Sequence, residues 1–377
     1  MRVGINATKA LERETGVGSY TYNLVRSLAR RSEAAASLRL YLMHGPAPSI
    51  IDGDGLSASV GRLNFGGSAP RILWEQFGLP ALARRDGLDL LHYVDHALPL
   101  WGRPCPVVIT VHDLAFYRLP TMYNFSRRHY KRFVGLRSIR RAARVITPSV
   151  ATREEIIALA GIDPARVTVI PYGLDEQFRP LDEAAQRRAR EDFDLTRPYF
   201  LFVGTLQPRK NLRHLIAAFA RLVQERGLPH ELVLAGGEGW LSGDLVRFAG
   251  EHRVADRLRL FGTVPQEKLP TLYNCAELLV FPSWYEGFGL PPLEAMACGV
   301  PVVASNRTSI PEVVGDAGLL VEPQDVDALA DAMGRVVDDE ALRLRLRQAG
   351  PERARQFSWD RAAAATLDVY RQVCGEE

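Results

Sequence analysis

The residues best suited to chemistry in this chain are two glutamates eight positions apart, Glu286 and Glu294. They lie in the segment F-P-S-W-Y-E-G-F-G-L-P-P-L-E-A-M-A-C-G, residues 281–299. A buried strand is predicted to end at Phe281, a glycine-containing loop follows, and a proline can start a helix with Glu294 in its first turn. The glutamates could accept hydrogen bonds from sugar hydroxyls, and the loop N–H groups could bind an anion. The spacing alone is equally typical of an ordinary helix start.

A cationic pair, Arg209 and Lys210, provides the opposite charge. It closes the segment V-G-T-L-Q-P-R-K, which begins at Val203 at the end of another predicted buried strand. Arginine offers a planar fork of donors and lysine a compact charge, so together they complement a diphosphate. A lone Arg-Lys pair is usually a solvated turn, but the position directly after a buried strand favours a ligand-binding role.

The N-terminal half contributes two weaker candidates. Gly16 and Gly18 are predicted to lie between the first strand and the first helix, where glycine lets the backbone approach a ligand closely. His112 follows a predicted buried strand in the segment T-V-H-D-L. A histidine there either packs or contacts a ligand, and the adjacent Asp113 is equally suited to capping the following turn.

The elements that must position these residues alternate between strands and amphipathic helices. The strands are short and rich in Val, Ile and Leu, which is typical of strands buried on both faces of a parallel sheet. In the N-terminal half they are predicted at 38–43, 88–94, 106–111, 145–147 and 167–170, and in the C-terminal half at 199–203, 231–235, 258–261, 278–281, 300–304 and 318–321. This pattern predicts an α/β protein of two Rossmann-like, doubly wound domains with a ligand cleft at the carboxyl ends of both sheets.

The predicted domains are residues 1–175 and residues 196–358. A turn-prone and then highly charged stretch at about 172–195 is interpreted as the connection between them. The last helix, in residues 359–377, is expected to pack back on the N-terminal domain.

Composition excludes several classes of protein. The chain has 377 residues, 47% of them hydrophobic, and a net charge of +3, which does not indicate a disordered protein or a dedicated nucleic-acid binder. The four cysteines are far apart and predict neither a disulfide framework nor a zinc site. No apolar run reaches the roughly 20 residues that cross a bilayer, and the N-terminus lacks a signal-peptide pattern. We therefore expect a cytoplasmic protein.

The charge is unevenly distributed. Residues 118–153 contain ten basic side chains and no acidic one. Most lie on one predicted helix whose apolar stripe would be formed by Tyr130, Phe133, Leu136 and Ile139. Two interpretations stay open: a core-packed helix with a solvated basic face, or peripheral attachment to an anionic membrane on its inner face.

The segment around the two glutamates resembles the E-x7-E motif of retaining glycosyltransferases of GT-B architecture, above all glycosyltransferase family 4. The E-G-F-G-L-P-x-L-E-A-M-A-C-G-x-P-V context of that motif is almost complete here. The resemblance extends over nearly the whole chain, through the Gly-rich segment at 15–20, T-V-H-D-L at 110–114, P-R-K-N at 208–211 and F-G-T-V-P at 261–265. It implies a GT-B fold and hexosyl transfer from a nucleotide sugar to a glycan or lipid-linked acceptor. It also implies that residues 1–175 bind the acceptor and residues 196–358 bind the nucleotide sugar.

The resemblance also implies roles for individual residues. Arg209 and Lys210 would bind the donor diphosphate, although many relatives place an arginine where this chain has Thr205. Glu286 would contact the donor sugar, Glu294 the ribose, and His112 would lie beside the sugar. Further donor contacts are implied for Gly16, Gly18, Val264, Leu269, Phe288, Gly289 and Leu290.

The H-D-L and P-R-K-N segments resemble most those of bacterial mannosyltransferases and related transferases, so GDP-mannose is the first expected donor and UDP-glucose the alternative. No metal or cofactor is expected. Asp-x-Asp strings, which hold a metal in other glycosyltransferases, occur at 52–54, 192–194 and 325–327, but none is interpreted as a metal site. The alternatives are a sugar-nucleotide epimerase or α-glucan phosphorylase of the same architecture, or a noncatalytic nucleotide-sugar sensor.

Overall fold

Short aliphatic runs form the strands of two parallel sheets, and the sequences between them form helices that cover both faces. This arrangement is seen in a computed structural model that describes residues 1–13, 15–31, 37–43, 57–60, 68–95, 98–99, 102–122, 125–237 and 242–375. The chain divides into two units. The N-terminal unit comprises residues 1–173 with 358–377, and the C-terminal unit comprises residues 174–357.

The N-terminal unit has a seven-stranded parallel sheet in the order β3-β2-β1-β4-β5-β6-β7. Its strands are Val3–Asn6 (β1), Leu38–Leu42 (β2), Ser57–Val60 (β3), Leu90–Tyr93 (β4), Val107–Thr110 (β5), Arg144–Thr147 (β6) and Val167–Val169 (β7). Its helices up to residue 173 include Gly16–Ala29 (α1), Ser68–Leu73 (α2), Leu79–Arg85 (α3), Ala115–Arg118 (α4), Phe125–Arg141 (α5) and Val150–Ala160 (α6). A π-helical turn, Trp74–Gly78, joins α2 to α3.

The C-terminal unit has a six-stranded parallel sheet in the order β10-β9-β8-β11-β12-β13. Its strands are Tyr199–Val203 (β8), Glu231–Ala235 (β9), Leu258–Gly262 (β10), Leu278–Phe281 (β11), Val302–Ser305 (β12) and Leu319–Val321 (β13). Its helices are Glu183–Asp192 (α7), Leu212–Arg226 (α8), Ser242–Glu251 (α9), Leu269–Cys275 (α10), Leu290–Ala297 (α11), Ile310–Val314 (α12), Val326–Asp338 (α13) and Glu340–Ala354 (α14). The central strands β8, β9, β11 and β12 are buried along their whole length, as their apolar sequences predict.

The last helix, Trp359–Cys374 (α15), belongs to the N-terminal unit. It packs against α1, β4 and β6. The hydroxyl of Tyr370 lies 2.7 Å from Nδ1 of His92, so a buried polar contact accompanies the apolar packing.

Two sequence-based expectations need correction. The stretch at 172–195 is not simply a connection, because the C-terminal unit begins at Leu174 and contains the charged helix α7. The proposed apolar stripe of α5 is only partly correct: Ile139 is buried and Leu136 packs against the core, but Phe133 is 65% exposed and the neighbouring Val134 is buried instead. Nothing is described for the side chain of Tyr130.

Within the described residues, no helix is both long and apolar enough to cross a membrane.

Candidate active site

The carboxylate of Glu286 is bound by both members of the cationic pair. Nζ of Lys210 donates to Oε1 at 2.6 Å, and Nη1 of Arg209 donates to Oε2 at 2.8 Å. Arg209 also donates to the carbonyl oxygen of Tyr285 at 3.0 Å. The structure therefore brings together three predicted site residues that are distant in the sequence.

Burial opposes ionisation of Glu286, but the positive charges and hydrogen bonds of Arg209 and Lys210 outweigh it and lower the pKa of this carboxyl to about 2. The side chains of Lys210 and Glu286 are only 8% and 10% exposed. The ammonium of Lys210 also lies 4.9 Å from the ring centre of Phe281, a favourable cation–π contact. The site thus holds two cations and one anion in a partly desolvated setting, where charges act strongly on a ligand.

Backbone geometry explains how the cations reach this place. After β8 the chain turns at Gly204, whose N–H donates to Ala235, and a 3-10 turn over Pro208–Lys210 follows. Gly236 leaves no room for a side chain, since a Cβ there would lie 2.1 Å from the carbonyl oxygen of Gly204. The requirement for Gly236 was not identified from the sequence, although a glycine directly after a predicted strand indicates a close approach of this kind.

Glu294 lies in the second turn of α11, not in the first turn as predicted, because the helix already begins at Leu290. Its Oε2 accepts a hydrogen bond of 2.8 Å from the hydroxyl of Tyr273 on α10. Burial is the main influence on this carboxyl and raises its pKa to about 7, while the Tyr273 hydrogen bond opposes the rise and the charge of Asp175 adds to it. Tyr273 was not identified from the sequence.

The loop between the two glutamates is held by a neighbouring loop before α12. Thr308, with φ of 54°, accepts a hydrogen bond from the N–H of Glu286 at 3.0 Å. The hydroxyl of Ser309 lies 2.9 Å from the carbonyl of Glu286 and 2.7 Å from that of Phe288. Gly289 adopts φ of 121°, a conformation that favours glycine. Thr308 and Ser309 had no sequence signal beyond a short polar cluster.

In the N-terminal unit, His112 follows β5 and uses both ring nitrogens. Nε2 lies 2.6 Å from the carbonyl oxygen of Val94, and Nδ1 is hydrogen-bonded to the hydroxyl of Tyr172. Because a carbonyl only accepts, Nε2 carries a proton, and in the neutral ring Nδ1 accepts from Tyr172. The ring of Tyr20 packs edge-on against His112, with centroids 4.9 Å apart.

A second histidine extends this polar network. Nε2 of His92 lies 2.8 Å from Oγ1 of Thr110, which lies 3.0 Å from the hydroxyl of Tyr20. Burial, with a smaller contribution from the charge of His112, lowers the pKa of His92 to about 3. His92 is therefore neutral at physiological pH, and Thr110 and Tyr20 add uncharged hydroxyls to its side of the network.

The two N-terminal glycines lie inside helix α1, not in the loop before it. Thr15 caps this helix by accepting a hydrogen bond from the N–H of Gly18 at 3.0 Å. A Cβ on Gly18 would lie 1.8 Å from the carbonyl oxygen of Glu12, so packing alone requires glycine there. A Cβ on Gly16 would meet nothing within 4 Å, so packing does not explain this residue.

The remaining candidates are placed as follows. Val264 follows β10 and Leu269 begins α10, and both are buried. Asp325 caps α13 by accepting from the N–H of Ala328 at 2.8 Å, an ordinary structural role. The string at 52–54 lies outside the described residues. Among the residues that are described, no group of three or more His, Cys, Asp or Glu could hold a metal ion.

Two Rossmann-like units, the second with a cationic pair and paired glutamates after its parallel strands, define a glycosyltransferase of the GT-B class. The family model "Glycosyl transferases group 1" matches residues 184–353, and "Glycosyltransferase Family 4" matches residues 15–178. The O-antigen chain mannosyltransferase B of Escherichia coli is 34% identical over 376 residues, covering 95% of this chain and 96% of the relative. The chain belongs to glycosyltransferase family 4.

Other relatives agree with this assignment. The D-inositol 3-phosphate glycosyltransferase of Salinispora tropica is 35% identical, over 73% of this chain and 60% of the relative. Sucrose-phosphate synthase from Thermosynechococcus elongatus has the same fold, with a TM-score of 0.76, 23% identity and 99% coverage of both chains. Anabaena HepE, solved in complex with UDP and glucose, gives a TM-score of 0.75 at 19% identity, covering 98% of this chain and 99% of that structure.

Proposed function

We propose that this glycosyltransferase moves a mannosyl unit from GDP-mannose to a glycan or lipid-linked acceptor with retention of anomeric configuration. The observation that carries the proposal is the clamp of Arg209 and Lys210 on Glu286, beside the loop that leads to Glu294. The two cations of the clamp suit a nucleoside diphosphate, and the carboxyl groups of Glu286 and Glu294 suit hydroxyl groups. A relative that matches almost the whole chain is a mannosyltransferase, which favours mannose over glucose.

In the proposed reaction, Lys210 and Arg209 offset the negative charge that builds on the departing diphosphate. Because Glu286 already holds both cations in place, little reorganisation is needed when the donor binds. Glu286 would in turn accept hydrogen bonds from donor sugar hydroxyls and Glu294 from the ribose. The N–H groups of residues 288–290 would add backbone contacts, and Val264 and Leu269 would pack against the base.

His112 would contact the donor sugar. Its imidazole is held by Val94 and Tyr172, so its orientation is set before the donor binds. Because both ring nitrogens are already hydrogen-bonded, a hydrogen bond to the sugar would replace one of these two contacts. Gly16, which no packing contact requires, would let α1 approach the ligand.

The test is donor-dependent thermal stabilisation across UDP-, GDP-, ADP- and dTDP-sugars. A ligand that binds the native state raises its apparent stability by RT ln(1 + [L]/Kd), about 2.7 kcal/mol at a hundredfold excess over Kd. We expect GDP-mannose to stabilise most, with UDP-glucose the alternative. Product NMR then tests stereochemistry: an α-linked donor should give an α-linked product, and a β-linked product would contradict retention.

The cationic pair also implies a reaction that needs no metal, since Arg209 and Lys210 supply the positive charge at the diphosphate. Turnover should persist in excess EDTA. Loss of activity under EDTA that manganese or magnesium restores would overturn this part of the proposal.

We also propose that the basic segment 118–153 attaches the enzyme to an anionic leaflet on the cytoplasmic side, near a lipid-linked acceptor. Arg132 and Arg137 are exposed on α5, and Phe133 between them is 65% exposed. Each basic residue near such a surface contributes about 1 kcal/mol at modest salt. Co-sedimentation with anionic but not neutral vesicles, weakened by salt, is the expected result, and equal, negligible binding to both would refute attachment.

A further inference from the structure

One buried carboxyl of the N-terminal unit has no place in the proposed donor chemistry. Glu75 lies on the π-helical turn Trp74–Gly78, and its side chain is 10% exposed, the same fraction as that of Glu286. π-helical turns recur at functional sites because they cost helix stability. Asn6, the last residue of β1, makes a side-chain hydrogen bond to Glu75. Glu75 therefore lies at the carboxyl edge of the N-terminal sheet, where ligands bind in parallel α/β folds.

Glu75 lacks the close cations that hold Glu286. Nε of Arg71 is 3.9 Å from Oε1 of Glu75, and this nitrogen is buried with no hydrogen-bond partner among the described residues. Lys9 is engaged elsewhere, because its Nζ lies 2.5 Å from Oε2 of Glu12. A loosely paired buried carboxyl costs folding free energy, so packing gives no reason to keep a glutamate here.

The charged groups around Glu75 affect the pKa of its carboxyl. Burial raises the pKa of Glu75 to about 7, Arg71 and Lys9 oppose the rise, and Asp95 adds to it. The carboxyl can thus exist in both protonation states near physiological pH. Such a group can accept a hydrogen bond from a hydroxyl or donate one to it.

We propose that Glu75 binds a hydroxyl of the acceptor sugar, with Asn6 holding its carboxyl in place, and so helps to select the acceptor. This inference rests on the proposed glycosyl transfer and names a residue for its second substrate. The spare Nε–H of Arg71 offers a donor for a second oxygen of the same sugar. Adjacent carboxylate and guanidinium groups suit a pair of neighbouring sugar hydroxyls.

The competing explanation is structural: Glu75 could simply tie the π-helical turn to Asn6. Glu75→Gln distinguishes the two, because the amide oxygen still accepts from Asn6 while the negative charge is lost. Glu155→Gln is the matched control, since Glu155 is a glutamate of the same unit that pairs with Arg118 at 2.7 Å. Both variants should remain folded.

The experiment measures transfer from GDP-mannose to p-nitrophenyl α-mannoside by the full-length protein, together with donor hydrolysis without an acceptor. For Glu75→Gln we expect acceptor KM to rise about tenfold, with donor KM and donor hydrolysis within about twofold of wild type. The variation of acceptor KM between about pH 6 and pH 8 should also flatten in Glu75→Gln. Comparing acceptor KM avoids confusion with Glu294, which titrates in the same range within the donor site.

An unchanged acceptor KM, or an equal loss of donor hydrolysis and transfer, would overturn the assignment. Saturation-transfer NMR of methyl α-mannoside provides a readout that does not need turnover. Binding to wild type that disappears in Glu75→Gln supports the role even if GDP-mannose proves to be the wrong donor, whereas equal binding, or none to wild type, refutes it. Absence of transfer from any nucleotide sugar would instead refute the proposed function.

Discussion

The two units use the ends of their parallel strands in opposite electrostatic ways. In the C-terminal unit, Glu286, Arg209 and Lys210 form a fully charged cluster with contacts of 2.6 to 2.8 Å. In the N-terminal unit, His112 and His92 instead bind hydroxyl groups and a backbone carbonyl. Under the proposed function, the cationic pair would bind the diphosphate, and His112 would add a contact to the donor sugar beside those of Glu286.

The strongest test of this contrast removes the buried lysine. Lys210→Ala should reduce turnover by more than about tenfold, because a charge-assisted contact contributes roughly 1.5–3 kcal/mol. It also leaves Glu286 with Arg209 as its only remaining cation of the pair, so some loss of stability is expected. Steady-state kinetics on the purified variant measure the first effect and thermal unfolding the second.

Two further variants separate the effect on turnover from the effect on stability. Arg221→Ala, which removes a partly exposed cation paired with Glu225 on α8 and Asp327 on α13, should leave turnover unchanged. Adding Glu286→Gln to Lys210→Ala should restore part of the stability but none of the activity. Near-wild-type kinetics of folded Lys210→Ala would show that the cluster serves the fold alone.

Glu294→Ala should reduce turnover to a similar extent and should also lower stability, because it empties a buried position. The variant loses the carboxyl that we assign to the ribose, and turnover should fall by more than about tenfold. The hydroxyl of Tyr273 loses its acceptor at the same time. Tyr273→Phe, which keeps the carboxyl, is the control. If it were as inactive as Glu294→Ala, then the pair would matter through packing instead of ribose binding.

A smaller effect on turnover is expected from a change beside His112 in the N-terminal unit. Tyr172→Phe removes the hydroxyl that is hydrogen-bonded to Nδ1 of His112 while keeping the ring that stacks on Trp359. We expect kcat to fall about three- to tenfold, the equivalent of one neutral hydrogen bond, with donor KM little changed. The kcat of His112→Ala should fall at least as far, and adding Tyr172→Phe to that variant should not lower kcat further. Additive losses would show that Tyr172 acts independently of His112.

Much of the scaffold could be predicted because continuous apolar runs identify buried strands. The predicted strands at 199–203, 231–235 and 278–281 coincide with β8, β9 and β11. Helix α7 was missed because charged residues dominate it, and β3 because S-A-S-V has too little apolar character. Local patterns therefore identify the elements only where burial is deep.

The candidate site was predictable as a set of residues but not as a set of contacts. Arg209 and Glu286 are 77 positions apart, and no local pattern states that they pair. The supporting residues Tyr273 and Thr308 come from neighbouring elements whose sequences carry no motif. Their roles depend on which helix or loop packs beside the strand ends, which is decided by tertiary structure.

The smallest expected effect concerns the pH dependence of stability. It compares the carboxyls of Glu286 and Glu294 within the C-terminal unit. The pKa of Glu286 is lowered from 4.5 to about 2, so its contribution to stability is present above pH 4.5 and is lost as the pH falls towards 2. The pKa of Glu294 is raised from 4.5 to about 7, so its contribution is greatest below pH 4.5 and is lost as the pH rises through 7.

Replacement of each glutamate by glutamine should therefore flatten opposite limbs of the curve of unfolding temperature against pH. Glu286→Gln should flatten the acidic limb, and Glu294→Gln should reduce the decline between pH 4.5 and about 7. The second effect will be partial, because the carboxyl of Glu75 titrates over the same range. Glu155→Gln provides the baseline for an exposed ion pair. If both active-site variants flattened the same limb, then the two carboxyls would share one environment, and the division between a clamped anion and a neutral acid would be wrong.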